Sequence, residues 1–459
     1  MGQIKNHYQI LILIILLGLG LRLILINQSF WLDESAQLVM SRQPLSAIWS
    51  GRDADFHPPL FYLLTHYWLK LGFHHEWFLR LLPVSFAVWS IYAIYLLAGK
   101  LFTPAAGLIS AFILAVNPFH IYYSQEMRSY SLVCLLAVYS YLFLIRRRWV
   151  LLALINTLLI YTHYSSFLLL LSQLVFLIFY DRQHLSHYLR LSLITVALYL
   201  PWMPRLLSQL SAGINIDQYL PGWRQLLTLP TFKSLPFILF KFTAGKIDIY
   251  PRYVYYLYGG FVLAVVTTGF IWSKKMVPLL STWLFVPIFG SMALSLFIPQ
   301  TQPFRLIFAL PALCIYLSLA VINRPKTFLT LLIYISIVGN FMYFTRPRLQ
   351  REQWRQAVAY LNQTPSSPVI VKFPDSFAPM KWYGLKNPVL PSVLNFPAQP
   401  VQVSSTLKDI PRQIFVVEYL GTLTDPRRLV EQTIIQSGLR EVSAVDFPGV
   451  GIIREYQKI

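Results

Sequence analysis

Residues 10–34 read ILILIILLGLGLRLILINQSFWLDE, and this stretch decides the class of protein. Its apolar part, Ile10 to Ile26, is long enough for the bilayer core, which takes ~17–25 residues. It exceeds the core of a secretory signal, and no small-residue cleavage site follows at Asn27-Gln28-Ser29-Phe30. It therefore reads as an uncleaved first span, with Lys5 on a cytoplasmic N-terminus. Two adjacent carboxylates, Asp33 and Glu34, come a few residues after it.

Working outward, further apolar runs predict spans at 81–99, 103–118, 129–145, 149–163, 165–180, 189–205, 252–272, 277–298, 304–322 and 327–345, about eleven in all. Composition agrees. The 459 residues are 56% apolar and 12% charged, whereas soluble proteins carry about a quarter charged residues. The net charge of +20 does not call for nucleic acid, because basic residues fill alternate loops. Lys100, Arg146-Arg147-Arg148, Arg182 with Arg190, Lys274-Lys275 and Arg324 with Lys326 would lie inside. Single arginines at Arg80, Arg128, Arg205 and Arg305 would lie outside. That alternation is the positive-inside pattern. Cys134 and Cys314 fall within apolar runs and have no metal-ligand spacing.

Between the first two spans, residues 27–80 hold Asp33, Glu34, Asp53, Asp55 and His57 but no full span. Leu60 to Leu71 puts Leu60, Leu64, Tyr67, Trp68 and Leu71 on one face, as in a helix lying in the membrane interface. Pro58 and Pro59 suit its first turn. Residues 206–250 read as a polar and aromatic loop. An odd span count puts the C-terminus outside. The domain boundaries expected are 1–345 for the membrane part and 346–459 for a small α/β domain. In the latter, Pro368–Phe373 and Gln413–Val417 read as strands, and Asp425–Ser437 as a helix ended by Gly438.

Three stretches offer chemistry. Asp33 and Glu34 lie at a membrane surface, where desolvation makes a carboxylate a better general base; an ordinary polar loop explains them as well. In Phe56-His57-Pro58-Pro59-Leu60 the prolines aim His57 at a helix N-terminus, a good phosphate site, or else a rigid corner. In Asn117 through Tyr130, Glu126 and Arg128 are charged within an apolar region, which marks a cavity lining or a mutual pair. Tyr123 belongs to this run. His163 and Arg305 are weaker candidates: the first fits an interfacial histidine, the second a phosphate clamp or a snorkelling arginine.

Together, Phe30-Trp31-Leu32-Asp33-Glu34, Phe56-His57-Pro58-Pro59-Leu60-Phe61-Tyr62, Asn117-Pro118 through Tyr130, Arg305 with Ala309-Leu310-Pro311-Ala312, and Trp354-Arg355 resemble the GT-C glycosyltransferases. That group includes protein O-mannosyltransferases and the aminoarabinose transferase of lipid A. The resemblance runs through the first ~345 residues and only loosely into the tail. It implies an α-helical polytopic fold with interfacial helices in the first outer loop. It also implies sugar transfer from a polyprenyl-phosphate donor to an acceptor lipid, glycan or protein, with inversion, in the plasma (inner) membrane. Asp33 corresponds to the family's loop aspartate, and Glu34 and Glu126 are grouped with it as catalytic candidates. His57, Arg128, Tyr123, His163 and Arg305 are grouped as substrate-binding. Where the aminoarabinose transferase has a lysine before its proline pair, this chain has His57, so Arg128 or Arg305 would supply a permanent charge. No cofactor is implied; a divalent cation is compatible but not indicated. A lipid-linked sugar flippase or transporter is the rival class, although such proteins favour paired repeats and broken midplane helices. A polymerase or ligase of lipid-linked saccharides is mechanistically close.

Overall fold

The computed structural model describes residues 2–50, 57–215, 231–274, 276–298, 301–408 and 410–458. Asp53, Asp55, Phe56 and Lys275 lie outside the described residues, as do the side chains of Lys5 and Lys326.

Among the described residues, six helices are long and apolar enough to cross a membrane: Asn6–Leu23, Glu76–Leu101, Arg182–Ile214, Arg252–Trp272, Pro303–Asn323 and Thr327–Thr345. Pro104–Val116 and Pro118–Ser124 make a seventh if their 61° bend is counted within one span. The other four predicted spans coincide with shorter apolar helices, Tyr130–Ile145, Trp149–Thr162, Ser166–Tyr180 and Pro278–Leu294. Every predicted span thus has its helix, and the chain is a multi-pass membrane protein. The 206–250 reading needs correction: an apolar helix, Ser234–Ala244, stands inside it, and Met203–Ile214 is helical. The first of these is short and carries Pro236 and Lys241, so its hydropathy does not announce a span. Residues 216–230 lie outside the described ones.

The bend has a local cause. Pro118 has no N–H and biases Asn117 toward extended geometry, and Asn117 adopts ψ 120°. Its side-chain oxygen then accepts from His120 N at 2.8 Å, starting the next helix, and its amide donates to Phe242 O at 2.8 Å. A helix that stops leaves carbonyls without partners, and water is unavailable to satisfy them in a bilayer. Side chains take them instead. Arg22 donates to Ala115 O at 2.8 Å and Leu114 O at 3.2 Å. Asn340 donates to Val116 O at 2.8 Å. Arg22 also reaches Gly18 O at 2.7 Å and His120 Nδ1 at 2.7 Å. Gly339 lets this region close: a Cβ there would stand 2.5 Å from Ala244 O and 2.7 Å from Pro118 Cγ.

The chain divides into two compact units. The first holds residues up to Ile26, then Pro44–Gln209 and Leu229–Leu349. The second holds Asn27–Gln43, a segment beginning at Leu210, and Gln350–Ile459. The segment bearing Asp33 and Glu34 is therefore grouped with the tail.

The tail is a five-stranded sheet. Its strands are β1 (Val369–Val371), β2 (Val389–Pro391), β3 (Gln413–Val417), β4 (Leu439–Phe447) and β5 (Gly451–Lys458). Their spatial order is β2-β1-β3-β5-β4, with β1 parallel to β2 and β3 and β5 antiparallel to β3 and β4. Side chains alternate across a strand, which gives two cores. Val369, Val371, Phe415 and Val417 pack with Trp354, Val358 and Leu361 on one face. Ile370, Ile414 and Val416 pack with Val403, Val430 and Ile434 on the other. The expected helix spans Leu429–Gln436, and Gly438 follows it with φ +85°. Asp425 accepts from Leu429 N at 2.8 Å and Val430 N at 3.1 Å, satisfying its first turn.

Candidate functional site

The residues singled out from the sequence separate between the two units. In the tail unit, Trp31 has extended geometry and the helix Leu32–Ser41 follows it. Asp33 and Glu34 occupy its first turn, where negative charge is favoured by the helix dipole. They are not equivalent. Glu34 is fully buried, whereas Asp33 keeps part of its surface exposed. Trp31 Nε1 and Ser35 Oγ, on either side of the pair, are buried with no hydrogen-bond partner among the described residues.

In the membrane unit, the bend at Asn117 delivers the second group. The helix Pro118–Ser124 carries Tyr122 and Tyr123, and the turn after it carries Glu126 and Arg128, both buried. Arg128 Nη2 lies 3.2 Å from His57 Nε2 and 3.3 Å from Nδ1, so the guanidinium stands against the imidazole. Arginine keeps its charge at any working pH, which gives the position before Pro58-Pro59 a permanent cation. His57 packs edge-on to His163, ring centres 5.5 Å apart. His163 Nδ1 accepts from Ser165 N at 3.2 Å, which leaves its other nitrogen to carry the proton. Tyr130 packs on His163, and Tyr123 and Tyr130 both pack on Phe304, at 5.8 and 5.4 Å. Phe304 places its neighbour Arg305 beside this cluster in the chain.

His57, Tyr123, Arg128 and His163 are thus gathered around shared ring contacts, with Arg305 and Glu126 on the adjoining turns. The predicted helix over 60–71 is present as Leu60–Leu69. Its buried residues are Phe61, Tyr62, Thr65 and Leu69. The face predicted to be apolar is the outward one, with Tyr67 and Leu71 both more than half exposed. An interfacial helix needs one such face for lipid.

Two residues escaped the sequence reading. Lys246 donates to Tyr122 OH at 2.6 Å and lies 4.1 Å over its ring. Glu352 is half-buried among tail residues and bonded to the backbone at Leu32. A lone lysine or glutamate at an element boundary carries no signal of such partners. Among the described residues, no group of three or more His, Cys, Asp or Glu side chains could hold a metal ion.

The membrane unit sets a cation among aromatic rings, and the tail unit, by itself, carries a carboxylate on a short helix. Known proteins add to this. The model of the dolichyl-phosphate-mannose-protein mannosyltransferase family matches residues 56–204. No curated protein matches the chain. Among solved structures, ArnT from Cupriavidus metallidurans in the apo state is similar with a TM-score of 0.56 at 11% identity, covering 99% of this chain and 98% of that one. The same ArnT bound to undecaprenyl phosphate gives 0.55 at 12%, with the same coverage. The Archaeoglobus fulgidus oligosaccharyltransferase, in complex with zinc and sulfate, gives 0.55 at 13%, covering 90% of this chain and 68% of that one. The fold of the chain is thus similar to those of ArnT and the oligosaccharyltransferase, and one segment of its membrane unit matches the mannosyltransferase family.

Proposed function

We propose that the protein is an integral-membrane glycosyltransferase that moves a sugar, a hexose or pentose, from a polyprenyl-phosphate donor to an acceptor hydroxyl. The reaction takes place on the outer face of the plasma membrane, with the N-terminus cytoplasmic and the tail outside. The observation that carries this reading is the overlap between the family segment and the cation-and-aromatic cluster. His57, Tyr123, Glu126, Arg128 and His163 all fall within 56–204, and the fold brings His57, Tyr123, Arg128 and His163 into linked contacts.

In this reading Asp33 takes the proton from the acceptor hydroxyl. The acceptor oxygen bonds to the anomeric carbon from the face opposite the leaving group, which inverts the configuration. The bond from that carbon to the phosphate oxygen breaks, and its electrons leave on the lipid phosphate. Arg128, steadied by His57, and Arg305 stabilise that charge from positions set before the reaction. Tyr123 and His163 wall the donor. Glu34, fully buried, supports the helix that carries Asp33, and Glu126 holds the turn that carries Arg128. The acceptor is a lipid, a glycan or a protein. No metal is invoked.

The test is sugar transfer in nanodiscs from a panel of polyprenyl-phosphate sugars to membrane extract, with wild type and Asp33→Asn matched for folding. General-base catalysis contributes about 10²–10⁴-fold, so the variant is expected to lose at least a hundredfold in kcat. Transfer that survives the substitution removes Asp33 from the mechanism. Donor binding without transfer by the wild type points to a lipid carrier or flippase.

A further inference from the structure

Glu352 stands two residues before Trp354 and is held from several sides. Its Oε2 accepts from Trp354 Nε1 at 2.7 Å and from Leu32 N at 3.2 Å, and its Oε1 accepts from Tyr419 OH at 3.0 Å. The Leu32 amide is the first N–H of the helix Leu32–Ser41, a donor that no helical carbonyl reaches. Trp31, at the cap position, has no side-chain acceptor for it. A carboxylate 320 residues away in sequence caps the helix instead. The next residue is Asp33.

The space for this carboxylate is reserved. Gly449 has φ +82°, and a Cβ there would stand 2.8 Å from Glu352 Cα and 2.9 Å from its Cγ. Gln353 N donates to Pro448 O at 3.0 Å and closes the same turn. The rest of the segment is fastened in the same way. Phe30 N donates to Tyr383 OH at 2.7 Å, Arg355 N to Ser29 Oγ at 2.9 Å, and Arg351 N to Gln28 Oε1 at 2.8 Å. The Arg42 guanidinium lies 3.8 Å over the Trp382 ring. Leu32 itself packs on the tail core.

We propose that Glu352 is a positioning residue for Asp33: from the tail, it fixes the start of the Leu32–Ser41 helix and with it the direction of the Asp33 carboxylate. The inference rests on the reading of Asp33 as the base. It gives the tail a share in setting the base, within the unit that holds both. The hold is sensitive to pH. Burial pushes Glu352 up to about 7 against the pull of its three donors, and the charge of Asp33 adds to the rise. The titratable groups facing it are Asp33 on the loop helix and Tyr419 beyond β3. A proton on Glu352 turns one acceptor oxygen into a donor among donors, so the clamp loosens as pH falls through about 7.

The experiment uses the full chain in nanodiscs with the donor found active above. It compares wild type, Glu352→Gln, Glu352→Asp and Gly449→Ala, after equal monodispersity is established. A small misplacement of a reacting group costs up to about a hundredfold. The expected result is a roughly 10- to 100-fold fall in kcat for Glu352→Gln and Gly449→Ala, with donor KM unchanged. Glu352→Asp recovers part of the rate, and the acid limb of the wild-type profile disappears in Glu352→Gln. Hydrogen exchange over residues 29–36 gives a second readout that needs no turnover, and it speeds up in both impaired variants. Wild-type kcat, pH profile and exchange in Glu352→Gln would overturn the inference. If Asp33→Asn is fully active, the functional reading fails by itself. Exchange then decides whether Glu352 anchors the segment: faster exchange keeps it as the anchor, and unchanged exchange removes it.

Discussion

Two buried cations show how differently the two units accommodate a charge. In the membrane unit, Arg22 is surrounded by the carbonyls of Gly18, Leu114 and Ala115 and by the His120 ring. In the tail, Lys372 donates to Glu431 and lies 3.6 Å from Asp425. The arginine is matched by backbone dipoles that the Asn117-Pro118 break leaves over, so the break and the arginine need each other. The lysine is matched by full opposite charges, and a buried ion pair of that kind can be replaced by apolar groups at little cost. One charge is required by the backbone around it; the other is not.

Breaking the first arrangement should do the most damage. Arg22→Met strands the Ala115 carbonyl, leaves the Leu114 carbonyl only the 3.4 Å bond from Asn117 N, at ~1–3 kcal/mol each, and also removes the partner of His120. A loss on the order of 5 kcal/mol is expected, read as a collapse of the folded fraction in detergent. Adding Pro118→Ala returns an N–H to Leu114 O and should recover part of it, since coupled sites are non-additive. Lys372→Met is next, at about 3–5 kcal/mol for a buried pair broken from one side, measured as a lowered Tm of the full chain. Neutralising all three partners, with Asp425→Asn and Glu431→Gln, should cost less than the single change. Glu352 sharpens the contrast, because it is a tail charge held by neutral donors alone. Its carboxyl is raised from 4.5 to about 7, so the folded state binds the proton more tightly than the unfolded one. Its contribution to stability is therefore full below pH 4.5 and is lost as pH rises to about 7, by at most about 3 kcal/mol. Activity should run the opposite way across that window. Thermal melts between pH 5 and 8 should show this slope in wild type and a flatter one in Glu352→Gln.

Much of this was legible in the sequence for physical reasons. Spans reveal themselves by apolar length, β1 and β3 by short buried runs, and the helix over 429–436 by its spacing and closing glycine. β4 and β5 did not, because LREVSAVDF and GIIREYQK set charged residues among their apolar ones, and most of β4 is exposed. β2 is only three residues long. The helix Pro118–Ser124 was hidden because Asn117-Pro118 reads as an end rather than as an end and a new beginning. The site was legible as residue types: His57, Arg128 and His163 were each singled out. Their gathering was not, since it depends on the 61° bend. Nor was the grouping of Asp33 with the tail, which depends on contacts more than 300 residues apart in sequence, such as Leu32 with Glu352.

Arg22 also has a consequence for how the chain is made. Its carbonyl partners at Leu114 and Ala115 emerge from the ribosome 92 and 93 residues later. Until then the first hydrophobic segment must enter the bilayer with a guanidinium matched only by Gly18 O of its own helix, and a partly matched charge in a span is costly. The earliest segment is thus held only provisionally. Its final seat is settled when the Pro104–Val116 helix arrives, so commitment to the membrane belongs to a pair of segments synthesised far apart.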